Sequence, residues 1–217
     1  MNTGEIARAY ATALANLDKE ECTAVALAAV QSGELDIVTF YEDVILPAMA
    51  GLSDVEVDAR HQIWREHVMS AIVRSTIELS YLTVLQEQER QGPPKRGFAV
   101  VYVPEGEQHD LGARIVADYC TLAGFNALFL GANTPSEELI HLVDHLPLSL
   151  VVISVTNVYN LRGAYAAVSL VKQKHPQMPI VLGGMAFLKN AEQFAAFADV
   201  QIVADGRTLM ATLGGIN

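Results

Sequence analysis

The chain predicts an α/β protein in two parts: an N-terminal four-helix bundle over residues 1–90 and a five-stranded parallel sheet flanked by helices over residues 98–217. Two observations carry this. The first ninety residues repeat apolar side chains at helical spacing and hold no good strand run, whereas beyond residue 97 short continuous apolar runs alternate with helical ones. Between them, Gln91-Gly92-Pro93-Pro94-Lys95-Arg96-Gly97 is polar and incompatible with a helix, and reads as a stiff linker at 91–97. With 217 residues, 51% of them apolar, the chain has ample material for both cores.

Taken in order, Ile6, Tyr10 and Leu14 recur at helix spacing, and Leu17 continues the stripe before Asp18 interrupts it. A second helix runs from Glu20 to Gln31 and stops at Ser32-Gly33, a carboxyl-terminal glycine signal. A third, Glu34 to about Ala50, carries Leu35, Val38, Val44, Ile45 and Met49, with Pro47 set to bend or shorten it. The fourth opens near Ser53-Asp54, where Ser53 and Glu56 have capping-box spacing, and is free of Gly and Pro as far as Glu89. After the linker, strands are expected at Phe98–Val103, Ala127–Leu130, Leu148–Ser154, Ile180–Leu182 and Val200–Val203. Helices are expected at Asp110–Gly124, Ser136–Leu146, Leu161–His175, Lys189–Phe197 and after Asp205. Apolar strands separated by helices give a flavodoxin-like (Rossmann-like) sheet covered on both faces.

Composition narrows the function classes. No stretch reaches the roughly 18 uncharged apolar residues that a bilayer span needs, and Glu5, Arg8, Asp18 and Lys19 leave no room for a signal-peptide core, so a cytoplasmic protein is expected. Cys22 and Cys120 lack metal-type spacing and read as two buried thiols of a reducing compartment. A formal charge of -11 argues against a nucleic-acid surface.

The chemistry concentrates at Glu107-Gln108-His109-Asp110-Leu111-Gly112, where the first strand pattern gives way to a helix. A loop at the carboxyl end of a parallel strand lies on the edge where open α/β sheets bind ligands. His109 is therefore a candidate ligand, and Glu107, two residues earlier, can accept a hydrogen bond from its second ring nitrogen and fix the tautomer. Gly112 would let the helix start approach a large planar ligand. Ser154-Val155-Thr156 and Gly183-Gly184 end two further strand runs along the same edge.

These three motifs resemble the cobalamin-binding domain of methionine synthases, corrinoid carriers, acyl-CoA mutases and cobalamin photoreceptors, whose signature is Asp-x-His-x-x-Gly, then Ser-x-Leu or Ser-x-Thr, then Gly-Gly. The spacers, residues 113–153 and 157–182, have the family's lengths. The resemblance implies that His109 replaces the cofactor's dimethylbenzimidazole as lower cobalt ligand. It implies too that Ser154 and Thr156 offer hydroxyls to the buried nucleotide tail, and that Gly183 and Gly184 keep its slot free of side chains. Glu107 departs from the usual Asp and lengthens the relay to His109.

In the same family a helical bundle covers the upper face of the corrin. Glu66-His67 is similar to the Glu-His pair on the capping helix of light-sensing cobalamin regulators, although Trp64 sits directly before the pair rather than about ten residues upstream. The resemblance implies that Trp64 covers the upper ligand of adenosylcobalamin or methylcobalamin, and that His61 or His67 captures cobalt once that ligand is lost. It points first to a photoreceptor acting through a transcription regulator or through self-association, and alternatively to a corrinoid carrier of a methyltransferase system. Of the other candidates, His141 and His145 are expected to be solvated and His175 to suit a helix end. Met49, Met69 and Met185 are expected in the core or, as the second choice, against the corrin, and Asp205-Gly206 near the nucleotide tail.

Overall fold

The computed structural model describes residues 1–51, 63–197 and 199–216. It divides into two compact units, Met1–Glu87 and Gln88–Asn217. The expected Ser53/Glu56 capping box and His61 lie outside the described residues.

In the first unit, α1 (Thr3–Ala15) opens with a capping box between Asn2 and Glu5 and buries Ile6, Tyr10, Ala13 and Leu14. Leu17 does not continue the helix. It takes a left-handed backbone (φ 58°) that ends α1, and Asp18, whose N–H reaches back to the Ala13 carbonyl, caps α2 (Lys19–Gln31). After Gly33 (φ 73°), α3 (Ile37–Phe40), a π-helical turn (Tyr41–Ile45) and α4 (Leu46–Ala50) follow without a break. Pro47 accounts for the wide turn: its ring would crowd the carbonyl four residues back, and the i→i−5 bond from the Leu46 N–H to the Tyr41 carbonyl makes room.

Helix α5 (Ile63–Gln91) buries Met69, Ile72, Val73, Thr76, Ile77, Ser80 and Val84, and the Thr76 hydroxyl accepts a 2.9 Å bond from Tyr10. By length and composition α5 is apolar enough to cross a bilayer, which no charge-free stretch predicted; its inward face is that of a bundle helix.

In the second unit, β1 (Phe98–Tyr102), β2 (Asn126–Phe129), β3 (Leu148–Ser154), β4 (Ile180–Gly183) and β5 (Val200–Ile202) form one parallel sheet in the order β2-β1-β3-β4-β5. The flanking helices are α6 (Leu111–Leu122), α7 (Ser136–His145), α8 (Leu161–Lys174), the short α9 (Met185–Leu188) and α10 (Gly206–Gly214). One core joins Val100, Tyr102, Val151, Ile153 and Leu182 to Leu139 and Val143 of α7 and to Ala164, Val168 and Val171 of α8. Strand order reverses between β1 and β3, so the crevice beyond their carboxyl ends is a topological switch point.

Two further expectations need correction. Lys189–Phe197 is no helix: its apolar spacing is helical, but the chain turns at Asn190 and makes only a 3-10 turn (Ala191–Phe194) that seats Phe194 on Phe187. The stiff linker expected over 91–97 begins after Gln91, which ends α5, and its residues pack against the sheet unit. The Arg96 N–H donates to the Gly124 carbonyl, and Gly124 (φ 95°) lies so close to the Pro94 carbonyl that a Cβ would stand 2.1 Å from it. The Arg96 guanidinium donates to the carbonyls of Leu213 (2.9 Å) and Ile216 at the end of α10.

Candidate functional site: a histidine clamped at the switch point

The loop after β1 turns at Glu105-Gly106, where Gly106 has φ 85° and its N–H donates to Asn133 Oδ1 (2.7 Å). This turn swings Glu107 inward, and its side chain is fully buried between the β1 and β3 loops. Oε1 accepts the His109 N–H (3.1 Å) and the His109 ring through Nδ1 (2.5 Å); Oε2 accepts the N–H groups of Thr156 (3.0 Å) and Asn157 (2.8 Å). Burial opposes charge on this carboxyl, but the bonds from the Asn157 N–H, the His109 ring and N–H, and the Asn160 side chain outweigh it and hold Glu107 below its ordinary range.

The glutamate is therefore an ionised bridge between two loops, and its additional methylene supplies the reach. With Nδ1 committed to Glu107, Nε2 is the ring nitrogen left to meet a ligand. The His109 side chain is 55% exposed, so this nitrogen is accessible.

The other sequence-predicted residues lie along the same edge. Ser154, 8% exposed, pairs in register with Gly183 across β3 and β4, and Thr156 is exposed beyond the strand end. Gly184 has φ 102°, and a Cβ there would stand 2.3 Å from the Val155 carbonyl oxygen, so glycine is required by the close approach of two loops as well as by any ligand. Gly112 faces open space: a Cβ would meet nothing within 4 Å. Asp110 occupies the N-cap position of α6 without a side-chain cap bond.

Asn157 and Asn160 were missed by sequence reasoning; their one signal is the Asn-x-x-Asn spacing just before α8. Met185, expected in the core, is 58% exposed on the first turn after Gly184, whereas Met69 is buried as expected. Asp205 is a helix cap: its carboxylate accepts the Thr208 N–H at 2.7 Å, which lowers its pKa. His141 and His145 are solvated, the latter bonded to the His141 carbonyl, and His175 pairs with Asp144 at 2.9 Å. Cys22 and Cys120 are free and buried. In the helical unit, Trp64 is 58% exposed, and Glu66 and His67 are exposed with it on the first turns of α5.

Among the described residues no three His, Cys, Asp or Glu side chains converge on a metal ion. One orientated imidazole beside open space suits a metal whose other positions are filled by a macrocycle, so the residues present fit a corrinoid.

Comparison with known proteins agrees. Residues 97–213 match the B12 binding domain family. The chain is 26% identical to the dimethylamine corrinoid protein of Methanosarcina barkeri over 187 residues, 85% of each chain. It is 27% identical to dimethylamine corrinoid protein 1 of Methanosarcina acetivorans over 73% of this chain and 75% of the other. The solved structure of the Methanosarcina barkeri monomethylamine corrinoid protein superposes with a TM-score of 0.82 at 15% identity, covering 99% of both chains, which shows the shared fold. Relatives so named favour the carrier expectation over the light-sensing one. The matched family covers more than half the chain and coincides with the clamped histidine at the switch point: the protein belongs to the B12-binding domain family, and cobalamin is its cofactor.

Proposed function

We propose that the protein is a corrinoid carrier of a methyltransferase system, receiving a methyl group from one partner enzyme and presenting it to another, with methylamines as the class of donor. The observation that carries this reading is the similarity to a dimethylamine corrinoid protein over 85% of both chains, which takes in the helical unit as well as the sheet. Bound cobalamin would supply a cobalt centre that accepts a methyl group and releases it to a nucleophile, so methylcobalamin is the working form.

His109 Nε2 would hold the cobalt, with Glu107 holding the ring by its Nδ1. The Thr156 and Asn157 N–H groups hold Glu107 in turn, so the ring is orientated before the cofactor arrives. Asp110 and Gly112 would border the corrin. The Ser154 and Thr156 hydroxyls, with Gly183 and Gly184, would hold the nucleotide tail. Residues 1–90 would act as a cap joined through 91–97 to the binding domain at 98–217, with Trp64, Glu66 and His67 as the residues that would shield the corrin between transfers. The two unpaired thiols suit a cytoplasmic, reducing setting.

The test is reconstitution with hydroxocobalamin, reduction to cobalt(II) and electron paramagnetic resonance with 15N-labelled histidine. One nitrogen coupling, lost in His109→Ala, is expected. Methylation of the holo-protein by dimethylamine together with its methyltransferase, but not by light-driven chemistry, is expected next. A stable bis-histidine photoproduct after green light would instead return the protein to the sensor class.

A further inference from the structure

The outward face of α5 carries an apolar row that the described residues of the helical unit leave uncovered. Val68 is 40% exposed, Leu79 44% and Leu82 67%, with Ala71 exposed between them. Only 39% of the most apolar stretch of this helix is buried, so the row is apolar surface facing outward. The centre of the row is Ser75, whose hydroxyl folds back on the Ala71 carbonyl (3.0 Å), so the surface it presents is flush and non-polar.

We propose that this row is the seat of a second copy of the same chain, packed α5 against α5, antiparallel, about a two-fold axis through Ser75. The spacing is self-complementary. Leu79 and Leu82 lie four and seven residues after Ser75, and Ala71 and Val68 lie four and seven before it. The two-fold therefore sets the smaller Val68 and Ala71 of each helix against the larger Leu82 and Leu79 of the other, with Ser75 meeting itself where close approach is needed. It also brings Arg74 of each helix beside the other's Glu78 on the same flank, an opposite-charge contact at the rim.

Charge permits the pairing here and opposes it elsewhere on the unit. Residues 1–87 carry 14 acidic against 5 basic side chains, but the part of α5 from Ile63 to Glu87 carries only 3 against 2. The seam from Val68 to Leu82 is about 21 Å long at 1.5 Å per residue. That is short for the roughly 800 Å² per partner of a standard interface, so the dimer forms and dissociates in the micromolar range.

The experiment is sedimentation of the full chain, with and without bound cobalamin, from about 1 to 300 μM. A rise from the monomer mass of 23.5 kDa to twice that value is expected. Leu82→Glu changes an exposed side chain, leaves the melting temperature unaltered and weakens the dimer at least tenfold. Ser75→Cys, placed on the axis, gives a disulfide-linked dimer on mild oxidation, while the native Cys22 and Cys120, both buried, do not. A monomer at every concentration would overturn the proposal and leave the row to a different protein. A dimer indifferent to Leu82→Glu, or one that Ser75→Cys does not link, would place the contact elsewhere and overturn it equally.

Discussion

The β1–α6 loop and the first turns of α5 carry the two sets of residues that the sequence marks for the two faces of a corrin, and they are built in opposite ways. His109 is held at its ring and at its backbone by a fully buried carboxylate that also takes two N–H groups from the next loop. Trp64, Glu66 and His67 sit exposed on a helix surface. One set is fixed by a buried charge and the other lies on the surface, which is the difference that the proposed carrier would need between a lasting lower ligand and an upper face repeatedly uncovered.

Breaking the fixed side has the largest expected effect. His109→Ala removes the protein's one ligand in the clamp, and cobalamin added to it keeps the spectrum of the free cofactor; unchanged histidine coordination would refute the assignment. Glu107→Gln leaves the ring in place but loses the anion, and affinity measured by equilibrium dialysis falls by about 10- to 100-fold. Asn160→Ala, removing a lesser support of Glu107, falls between this variant and the native protein.

Gly184→Ala sharpens the comparison from the side of stability. The new Cβ collides with the Val155 carbonyl at a left-handed φ, costing about 1–3 kcal/mol, read as a fall in the thermal midpoint even without cofactor. Trp64→Ala and His67→Ala, on the exposed side, change stability by less than about 0.5 kcal/mol and leave cobalamin bound.

Cys120 gives the alkaline limit. Burial first, and then the neighbouring Asp118, push its thiol up to about 12 from the ordinary value of 9.0. A raised folded-state pKa contributes stability in full below pH 9, lost progressively as the pH climbs toward 12. Denaturant titrations from pH 8 to 10.5 should show that decline, reduced in Cys120→Ala, and native Cys120 should resist thiol reagents at neutral pH.

The sequence displays what local pattern encodes and hides what depends on contact between loops. The alternation of apolar strands with helices was legible, as were the Glu107, His109, Ser154 and Gly183-Gly184 positions, because each lies where a strand pattern stops. Asn157 and Asn160 were not, since their value comes from Glu107, some fifty residues away, reaching across to them. Leu17 looked like one more member of a helical stripe; its left-handed backbone is set by the Asp18 N–H returning to Ala13. Residues 91–97 read as a stiff linker on composition, and only the Arg96–Gly124 bond and the Pro94 contact show 92–97 built into the sheet unit. The substitution of Glu for Asp, which looked like a weakening of the relay, is what lets one side chain bridge both loops.

That bridge has a consequence for motion. Glu107 fastens the β1 and β3 loops through its carboxylate, and the same turn holds Asn133 by two bonds, from the Gly106 N–H to its side chain and from its own N–H to the Glu107 carbonyl. Three separate connections of the sheet thus share one knot. The amides of His109, Thr156 and Asn157 cannot open without taking a hydrogen bond from a buried charge. Their hydrogen exchange is expected to follow a single common rate, so that the whole rim of the crevice loosens together or not at all.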